Sequence, residues 1–370
     1  MNFKELDTPT LLIDKEVMMK NIKTMQEYAD RNKVALRPHT KTHKMPYLAK
    51  IQEEYGCQGI TVAKVGEAEV MAENGLKDIF IANEIVGEEK FKRIIELSKK
   101  VKISFGLDSI EQAKLIEETF AKYDATAVVL IEIEVGENRS GIIEEKDFID
   151  LLTFLKDCPH IYLKGIFSHD GNSYNAPSTE EGEKWSTVSQ VRTLHFADLA
   201  KEQGFKLETV SIGSTPSLMN QYPILEGVTE LRPGTYILMD ASQCHCVGDL
   251  STAAAATVLT TVISRPTEER VITDVGAKGI TAQTRRVGVC ATEGLGTIYE
   301  YPDVHITDVY DEHAIIYNKK FRDTVRVGDK VRIIPVHICP VVNLHENAYL
   351  IDKDGEVLEK IPVLCRGKLK

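Results

Sequence analysis

No stretch of this 370-residue chain approaches the roughly 20 apolar residues of a membrane-spanning helix. The N-terminal segment MNFKELDTPT lacks the apolar core of a signal peptide. Basic residues are in deficit: 45 Lys and Arg against 56 Asp and Glu leave a net charge of −11, opposite to what a general nucleic-acid or anionic-membrane binder needs. The seven cysteines, an odd number, show no disulfide-like framework between Cys57 and Cys365, which suits a reducing compartment. Walker-type and dinucleotide-type glycine motifs are missing too, which argues against a nucleotide ligand. These absences leave a cytoplasmic enzyme as the expectation, with neither nucleic acid nor membrane as a partner.

What is present is organised in two textures. Short runs rich in β-branched residues recur through the first two thirds: VALRP (34–38), GITVA (59–63), DIFIAN (78–83), KISFGL (102–107), AVVLIEIEV (127–135), IYLKGIF (161–167), ETVSIG (208–213) and TELRPG (229–234). Between most of them lie stretches such as GEAEVMAENG and SIEQAKLIEETFAKY, with apolar residues three or four apart. Eight strands alternating with helices predict a parallel sheet and favour a closed (β/α)8 barrel, with an open doubly wound sheet as the alternative. Between the sixth and seventh strands a polar loop, DGNSYNAPSTEEGEK, precedes a helix expected around Val188–Glu202. After about Met239 the runs AATVLTTVISR, ERVITDVGA, RRVGVCA, AIIYN, DKVRIIPV and AYLID, separated by turn signals such as VGDK and DKDGE, predict a C-terminal antiparallel β domain. The expected organisation is a barrel over 18–240 and a β domain over 241–370.

In a (β/α)8 barrel the active site lies past the C-terminal ends of the strands. The polar segments there are RPHTKTHK (37–44), GENRSG with Arg139, SHDGNSY with His169 and Tyr174, GSTPS (213–217) and RPGTY (232–236). Each has an ordinary reading: Arg139 as a surface arginine, GSTPS as a helix cap. Their falling together on one barrel face makes a site the better reading. GSTPS and RPGTY offer hydroxyls and backbone N–H groups, which suit a phosphate without needing net positive charge. The octet RPHTKTHK is open to several readings: a metal site, a phosphate clamp, a nucleic-acid patch or the setting of one activated lysine. A free lysine is protonated at neutral pH. Partial burial beside Arg37 and two histidines would disfavour its charge and make it a nucleophile, as a Schiff-base lysine requires.

A second constellation is VHICP (336–340). On a strand, His337 and Cys339 project to the same face, and imidazole with thiolate suits zinc with positions left open. The bland alternative is a small buried cysteine. The triplet CHC at 244–246 competes, but on a strand His245 would point away from Cys244 and Cys246.

Taken together, TPTLLID, RPHTKTHK, EVGENRSG, GIFSHDGNSY, SIGSTPS, LRPGTYILMD and PVHICPVVNL resemble the D-threonine aldolase and eukaryotic-type D-serine dehydratase family, pyridoxal phosphate (PLP) enzymes of fold-type III related to alanine racemase. The resemblance covers nearly the whole chain. It implies a barrel, a β domain joined by the N-terminal strand (1–17), and a homodimer. It implies that Lys41, first lysine of KTHK, carries the cofactor as a Schiff base; Lys44 is the alternative. Arg139 would approach the cofactor's phenolic oxygen, Arg232 would face the pyridine nitrogen, and His169 would support Arg232. Gly213, Ser214, Thr215, Gly234 and Thr235 would bind the phosphate, Tyr174 would line the pocket, and His337 and Cys339 would hold the metal.

The implied substrate is a small D-amino acid bearing a β-hydroxyl. Two outcomes follow from one site: β-elimination to a keto acid and ammonia, as in D-serine dehydratase, or retro-aldol cleavage to glycine and an aldehyde, as in D-threonine aldolase. The aldolase branch tends to carry HxD with manganese or magnesium. The thiolate of Cys339 favours zinc, and with it the dehydratase. An amino acid racemase needs an opposing tyrosine, absent from ITDVGAKGIT. A non-catalytic PLP-binding homeostasis protein would not need the β domain.

Overall fold

The computed structural model describes residues 1–247 and 253–370. The chain falls into two compact units. One comprises Gln26–Lys41, Leu48–Gly234 and Lys368–Lys370, and the other Met1–Met25, Thr42–Tyr47 and Thr235–Gly367. Strand β1 (Thr10–Asp14) leads into helix α1 (Lys15–Asn32).

The first unit carries eight parallel strands: β2 (Ala35–Leu36), β3 (Ile60–Val62), β4 (Asp78–Glu84), β5 (Lys102–Leu107), β6 (Ala127–Ile133), β7 (Ile161–Ser168), β8 (Thr209–Ile212) and β9 (Glu230–Leu231). Their order is β2-β9-β8-β7-β6-β5-β4-β3. A bridge between His39 and Thr61 joins the two ends, with Thr61 N–H donating to Pro38 O and Thr40 N–H to Thr61 O, both at 2.8 Å. The barrel is therefore closed, and the open sheet is excluded. Burial on both faces explains why these strands read as near-continuous apolar runs.

Helices α2 (Pro46–Glu54), α3 (Val65–Glu73), α4 (Glu88–Ser98), α5 (Ile110–Lys122), α6 (Glu145–Leu155), α7 (Thr179–Glu202) and α8 (Thr215–Met219) alternate with the strands. In α5 the Ser109 hydroxyl caps the first turn by accepting from Gln112 N–H, and Ala113, Ile116 and Phe120 form the buried stripe. Phe120 packs at 6.1 Å from the rings of both Phe91 and Phe105. Helix α7 starts earlier than its apolar pattern suggests, because Ser178 accepts from Glu181 N–H and takes the last of the polar loop into the helix.

The second unit holds a ten-stranded, mostly antiparallel sheet formed by β1 with β10 (Ala256–Ser264), β11 (Arg270–Thr273), β12 (Gly296–Ile298), β13 (Tyr301–His305), β14 (Asp308–Val309), β15 (Ala314–Tyr317), β16 (Lys330–Pro335), β17 (Asn347–Ile351) and β18 (Val357–Pro362). The N-terminal strand β1 lies inside it, antiparallel to β10 and parallel to β17. The CHC triplet, disfavoured as a site, lies in α9 (Ala241–Val247). Two expectations fail here. RRVGVCA (285–291) is a loop: Gly288 has φ +73°, and Thr292 N–H closes back on Arg285 O at 2.9 Å. His337 stands at the N-cap position of a short helix, Ile338–Leu344, so it and Cys339 are not alternate residues of a strand. Pro340 explains the last change, since proline supplies no ladder donor but fits a first helical turn. Among the described residues no helix is long and apolar enough to cross a membrane.

Candidate active site

At the start of the barrel the octet divides. Arg37 is 6% exposed; its Nε donates to Glu230 Oε2 at 2.6 Å and its Nη1 to Asp78 Oδ1 at 2.7 Å. Asp78 and Glu230 open β4 and β9, so Arg37 is tied to the N-terminal end of the barrel and does not sit beside Lys41 as expected. His43 is fully buried with Nδ1 accepting from Met45 N–H at 3.1 Å, in the other unit. His39 is the histidine that stays with Lys41. The His39 N–H is fixed to Pro233 O at 2.8 Å, and the half-buried Lys41 follows in a turn, its N–H 3.4 Å from His39 Nδ1.

Burial pushes the His39 imidazole well below the usual histidine range, and the positive charges of Lys41 and Arg232, with His169 close by, add to the effect. Those four groups meet at the mouth formed by the strand ends. Arg232 is buried, with Nη1 donating to Ser211 Oγ at 2.6 Å and Nη2 to Ser168 O at 2.7 Å. Its guanidinium lies 5.1 Å from the Phe167 ring and 5.9 Å from that of Phe80, and burial pushes its pKa down to about 10. The expected support from His169 takes another form. His169 Nδ1 is 2.8 Å from Gly213 O, which makes Nδ1 the protonated nitrogen, and Nε2 turns toward Glu137 Oε2 at 3.9 Å. The Tyr174 ring lies 6.4 Å from the His169 ring. Arg139, half-exposed, pairs with Glu137 at 3.3 Å and faces Glu132 at 3.8 Å.

The GSTPS turn is built on a buried polar base. Ser217 Oγ donates to Asp170 Oδ2, and Ser214 Oγ shares hydrogen bonds with Ser173 (2.9 Å) and Ser217 (3.3 Å). Ser214 therefore sits at the N-cap of α8 without capping it through its side chain. Gly213 has φ +144°, and a Cβ there would stand 2.9 Å from Arg232 N, so only glycine lets the backbone run this close. Gly234 N–H donates to Thr215 Oγ1 at 3.3 Å.

In the second unit Cys339 stands near enough to His337 to act on its imidazole despite the helical backbone. Burial alone would lower the His337 pKa, but facing Cys339 and Asp240 raises it overall. The Cys339 sulfur lies in hydrogen-bond contact with Thr42 Oγ1 at 3.2 Å and Thr235 Oγ1 at 3.6 Å, and His337 Nδ1 meets Gln283 Oε1 at 3.1 Å. Thr235 thus turns its hydroxyl to this sulfur. The fully buried Asp240 accepts from the N–H groups of Ile338 and Gln243, fastening the turn that carries the pair. Among the described residues no three His, Cys, Asp or Glu side chains converge as metal ligands, so the pair offers two donors and an open remainder. Asp170, Glu137 and Asp240 were not picked out from the sequence. A carboxylate beside a buried turn carries no periodic signal.

Comparison with known proteins agrees with this layout. Residues 13–242 match the family described as alanine racemase, N-terminal domain, and residues 255–351 the putative serine dehydratase domain. A D-threonine aldolase from Arthrobacter sp is 31% identical, covering 98% of this chain and 93% of its own. A D-serine dehydratase from Dictyostelium discoideum is 25% identical over 96% of each. The D-threo-3-hydroxyaspartate dehydratase from Delftia sp. HT23 superposes with a TM-score of 0.91 at 26% identity over 98% of both chains. A cysteine-to-alanine mutant of D-threo-3-hydroxyaspartate dehydratase in the metal-free form matches equally, with a TM-score of 0.91 at 25% identity, covering 98% of this chain and 99% of that one.

Proposed function

Because the chain belongs to the PLP-dependent lyase family that includes D-threonine aldolase, hydroxyaspartate dehydratase and D-serine dehydratase, we propose that it acts on D-β-hydroxy amino acids, by β-elimination to a keto acid and ammonia. The observation that carries this reading is the His337–Cys339 pair with hydroxyls on its sulfur: a soft donor set that suits zinc better than manganese or magnesium. The metal-free cysteine mutant of a related dehydratase supports the same ligand assignment. A second reading, retro-aldol cleavage, is favoured by the 31% identity to a D-threonine aldolase.

The family's cofactor, PLP, gives each of these residues a proposed place. Gly213, Ser214, Thr215 and Gly234 would take the phosphate, Gly213 letting the backbone pass within a distance of Arg232 N that a Cβ, at 2.9 Å, would not allow. Lys41 would attach the aldehyde carbon. Arg232, held by Ser211 and Ser168, would face the ring nitrogen, and Arg139 the phenolic oxygen. Tyr174 would line the pocket beside His169. When bound, PLP supplies an electron sink for charge developing at the substrate's Cα, and a divalent ion supplies a Lewis acid for its β-hydroxyl. Lys41 would take the Cα proton, a general-base role worth ~10²–10⁴-fold. His337 and Cys339 would hold the ion, the Thr42 hydroxyl orienting the sulfur; Thr42 is the residue covalently next to Lys41. A homodimer is the proposed assembly.

The test is product analysis of the PLP- and zinc-loaded protein with D-threonine, which can follow either route. 2-Oxobutyrate and ammonia would support elimination. Glycine and acetaldehyde would replace it with retro-aldol cleavage and show that Cys339 does not mark the dehydratase branch.

A further inference from the structure

Arg139 rides on the loop of residues 134–143, which joins β6 to α6. The tip of that loop, GENRS (136–140), has no apolar side chain, so burial cannot hold it and hydrogen bonds must. At the stems Glu134 N–H donates to Ile142 O at 3.1 Å and Ile142 N–H to Glu132 O at 2.9 Å. Gly141, at φ +94°, permits this return, since a Cβ there would stand 2.8 Å from Glu134 N. Within the loop Glu134 Oε1 accepts the N–H groups of Gly136 and Asn138 at 2.7 Å each, and Asp108 Oδ2 accepts that of Gly141 at 3.3 Å. These bonds shape the tip, and its direction is left to the stems.

Both stems are gripped from outside the barrel by one side chain. Arg192, half-buried on α7, donates from Nε to Glu134 O at 2.6 Å and from Nη2 to Ile143 O. Its guanidinium lies over the Phe196 ring, 5.0 Å from the centroid. Phe196 is itself fully buried and packs at 5.0 Å against Phe148 of α6. The core therefore aims the fork before it reaches the loop. Ser189, one turn earlier on α7, adds a bond to Val135 O at 3.3 Å. The carbonyl that Nε holds belongs to Glu134, the residue whose carboxylate gathers the N–H groups just ahead of Arg139.

We propose that Arg192 is a positioning residue for Arg139: its guanidinium spans the two stems and so fixes where the loop presents the Arg139 side chain. The contacts of Arg139 itself, with Glu137 at 3.3 Å and Glu132 at 3.8 Å, are longer than a charge-assisted hydrogen bond. Its placement therefore depends more on the loop than on its own partners. A lysine at 192 would keep the charge but lose the planar fork that reaches two carbonyls at once. If Arg192 merely packed helix against loop, its loss would be felt in stability and not at Arg139.

The inference rests on the reading of Arg139 as the group facing the phenolic oxygen of PLP, and two measurements keep the pair of ideas apart. The first is hydrogen exchange of the full chain without cofactor. In Arg192→Ala the amides of residues 136–141 should exchange faster on the order of tenfold, the equivalent of one hydrogen bond to a charged group. Arg192→Lys should fall between that variant and wild type, and it supplies the same readings if the alanine variant fails to fold. Unchanged exchange in the loop would overturn the clasp. The second is a pH titration of the visible absorbance with PLP loaded. A cation beside the phenolic oxygen disfavours protonation nearby and lowers the pH at which that absorbance changes. Arg139→Ala should raise this pH, and Arg192→Ala should move it the same way. The double variant should go no further than Arg139→Ala, since the two residues act as one unit. A titration unmoved by Arg192→Ala, or shifts that simply add, would overturn the positioning role. A wild type that bound no PLP would sink the cofactor reading, while the exchange rates still decided whether Arg192 holds the loop of Arg139.

Discussion

Arg37 Nε donates to Glu230 Oε2 at 2.6 Å inside the barrel, linking the end of β2 to the first residue of β9. Glu230 Oε1 in turn accepts Ser211 Oγ at 2.7 Å, and Ser211 receives Arg232 Nη1. One buried carboxylate therefore serves the arginine at the closed end and, through a serine, the arginine at the mouth. The charges of Glu230 and Asp78 outweigh the cost of burial and raise the Arg37 pKa. Replacing Arg37 by alanine would strand Glu230 without its partner. The expected cost is about 3–5 kcal/mol, the range for breaking a buried ion pair from one side, read by urea unfolding. Cofactor absorbance in the folded fraction should be unchanged; a selective loss of that absorbance would return Arg37 to the active site.

Lys41 and Lys44 are distinguishable by their settings. Lys41 lies in the turn beside His39, whereas Lys44 is 7% exposed, has φ +56° and gives its carbonyl to Cys365 N–H at 3.0 Å. Lys41→Ala should abolish the visible absorbance of covalently held PLP, and Lys44→Ala should retain it. The reverse pattern in folded proteins would reassign the lysine.

The barrel was legible because parallel strands buried on both faces leave uninterrupted apolar runs, as at Ile79–Ile81 and Val129–Ile131. The site was legible as a set of polar segments past those runs. Individual partnerships were not. Arg37 stands beside Lys41 in sequence, yet its partners lie on β4 and β9, and nothing local to RPHTKTHK announces them. RRVGVCA alternates like a strand, and only the positive φ of Gly288 turns it into a loop. The His337–Cys339 pair was found for the wrong geometric reason: a turn of helix, not a strand, brings the two side chains together.

The hydroxyl on the sulfur makes a graded prediction for the metal. Cys339→Ala should remove metal-dependent turnover while PLP remains bound. Thr42→Val, which deletes only the group 3.2 Å from Sγ, should weaken metal affinity about 10–100-fold, the usual effect of losing an orienting partner. Cys339→Asp should shift preference from zinc toward manganese or magnesium. Metal titration followed by calorimetry reads all three; unchanged affinity in Cys339→Ala would reduce the pair to packing.

His169 supplies a pH test whose sign is fixed by its surroundings. Burial first, then the charges of Arg139 and Lys41, push its imidazole well below the usual range; the bond to Gly213 O opposes this without reversing it. The folded protein therefore leaves His169 neutral at pH values where the unfolded chain, with a pKa of about 6.5, is already protonated. Over that window the unfolded state binds more protons, so stability falls as pH drops below about 6.5 and levels off above it. His169→Gln removes the titration while its amide can still donate toward Gly213 O. Urea unfolding at several pH values should give a shallower acid-side decline for this variant, by up to about 1.4 kcal/mol per pH unit. His39, depressed for the same reason, keeps its own share of the decline in that variant. Parallel pH dependences for wild type and variant would mean that His169 carries a proton in the folded state, and that Nε2 donates to Glu137 instead of standing as an acceptor at the mouth.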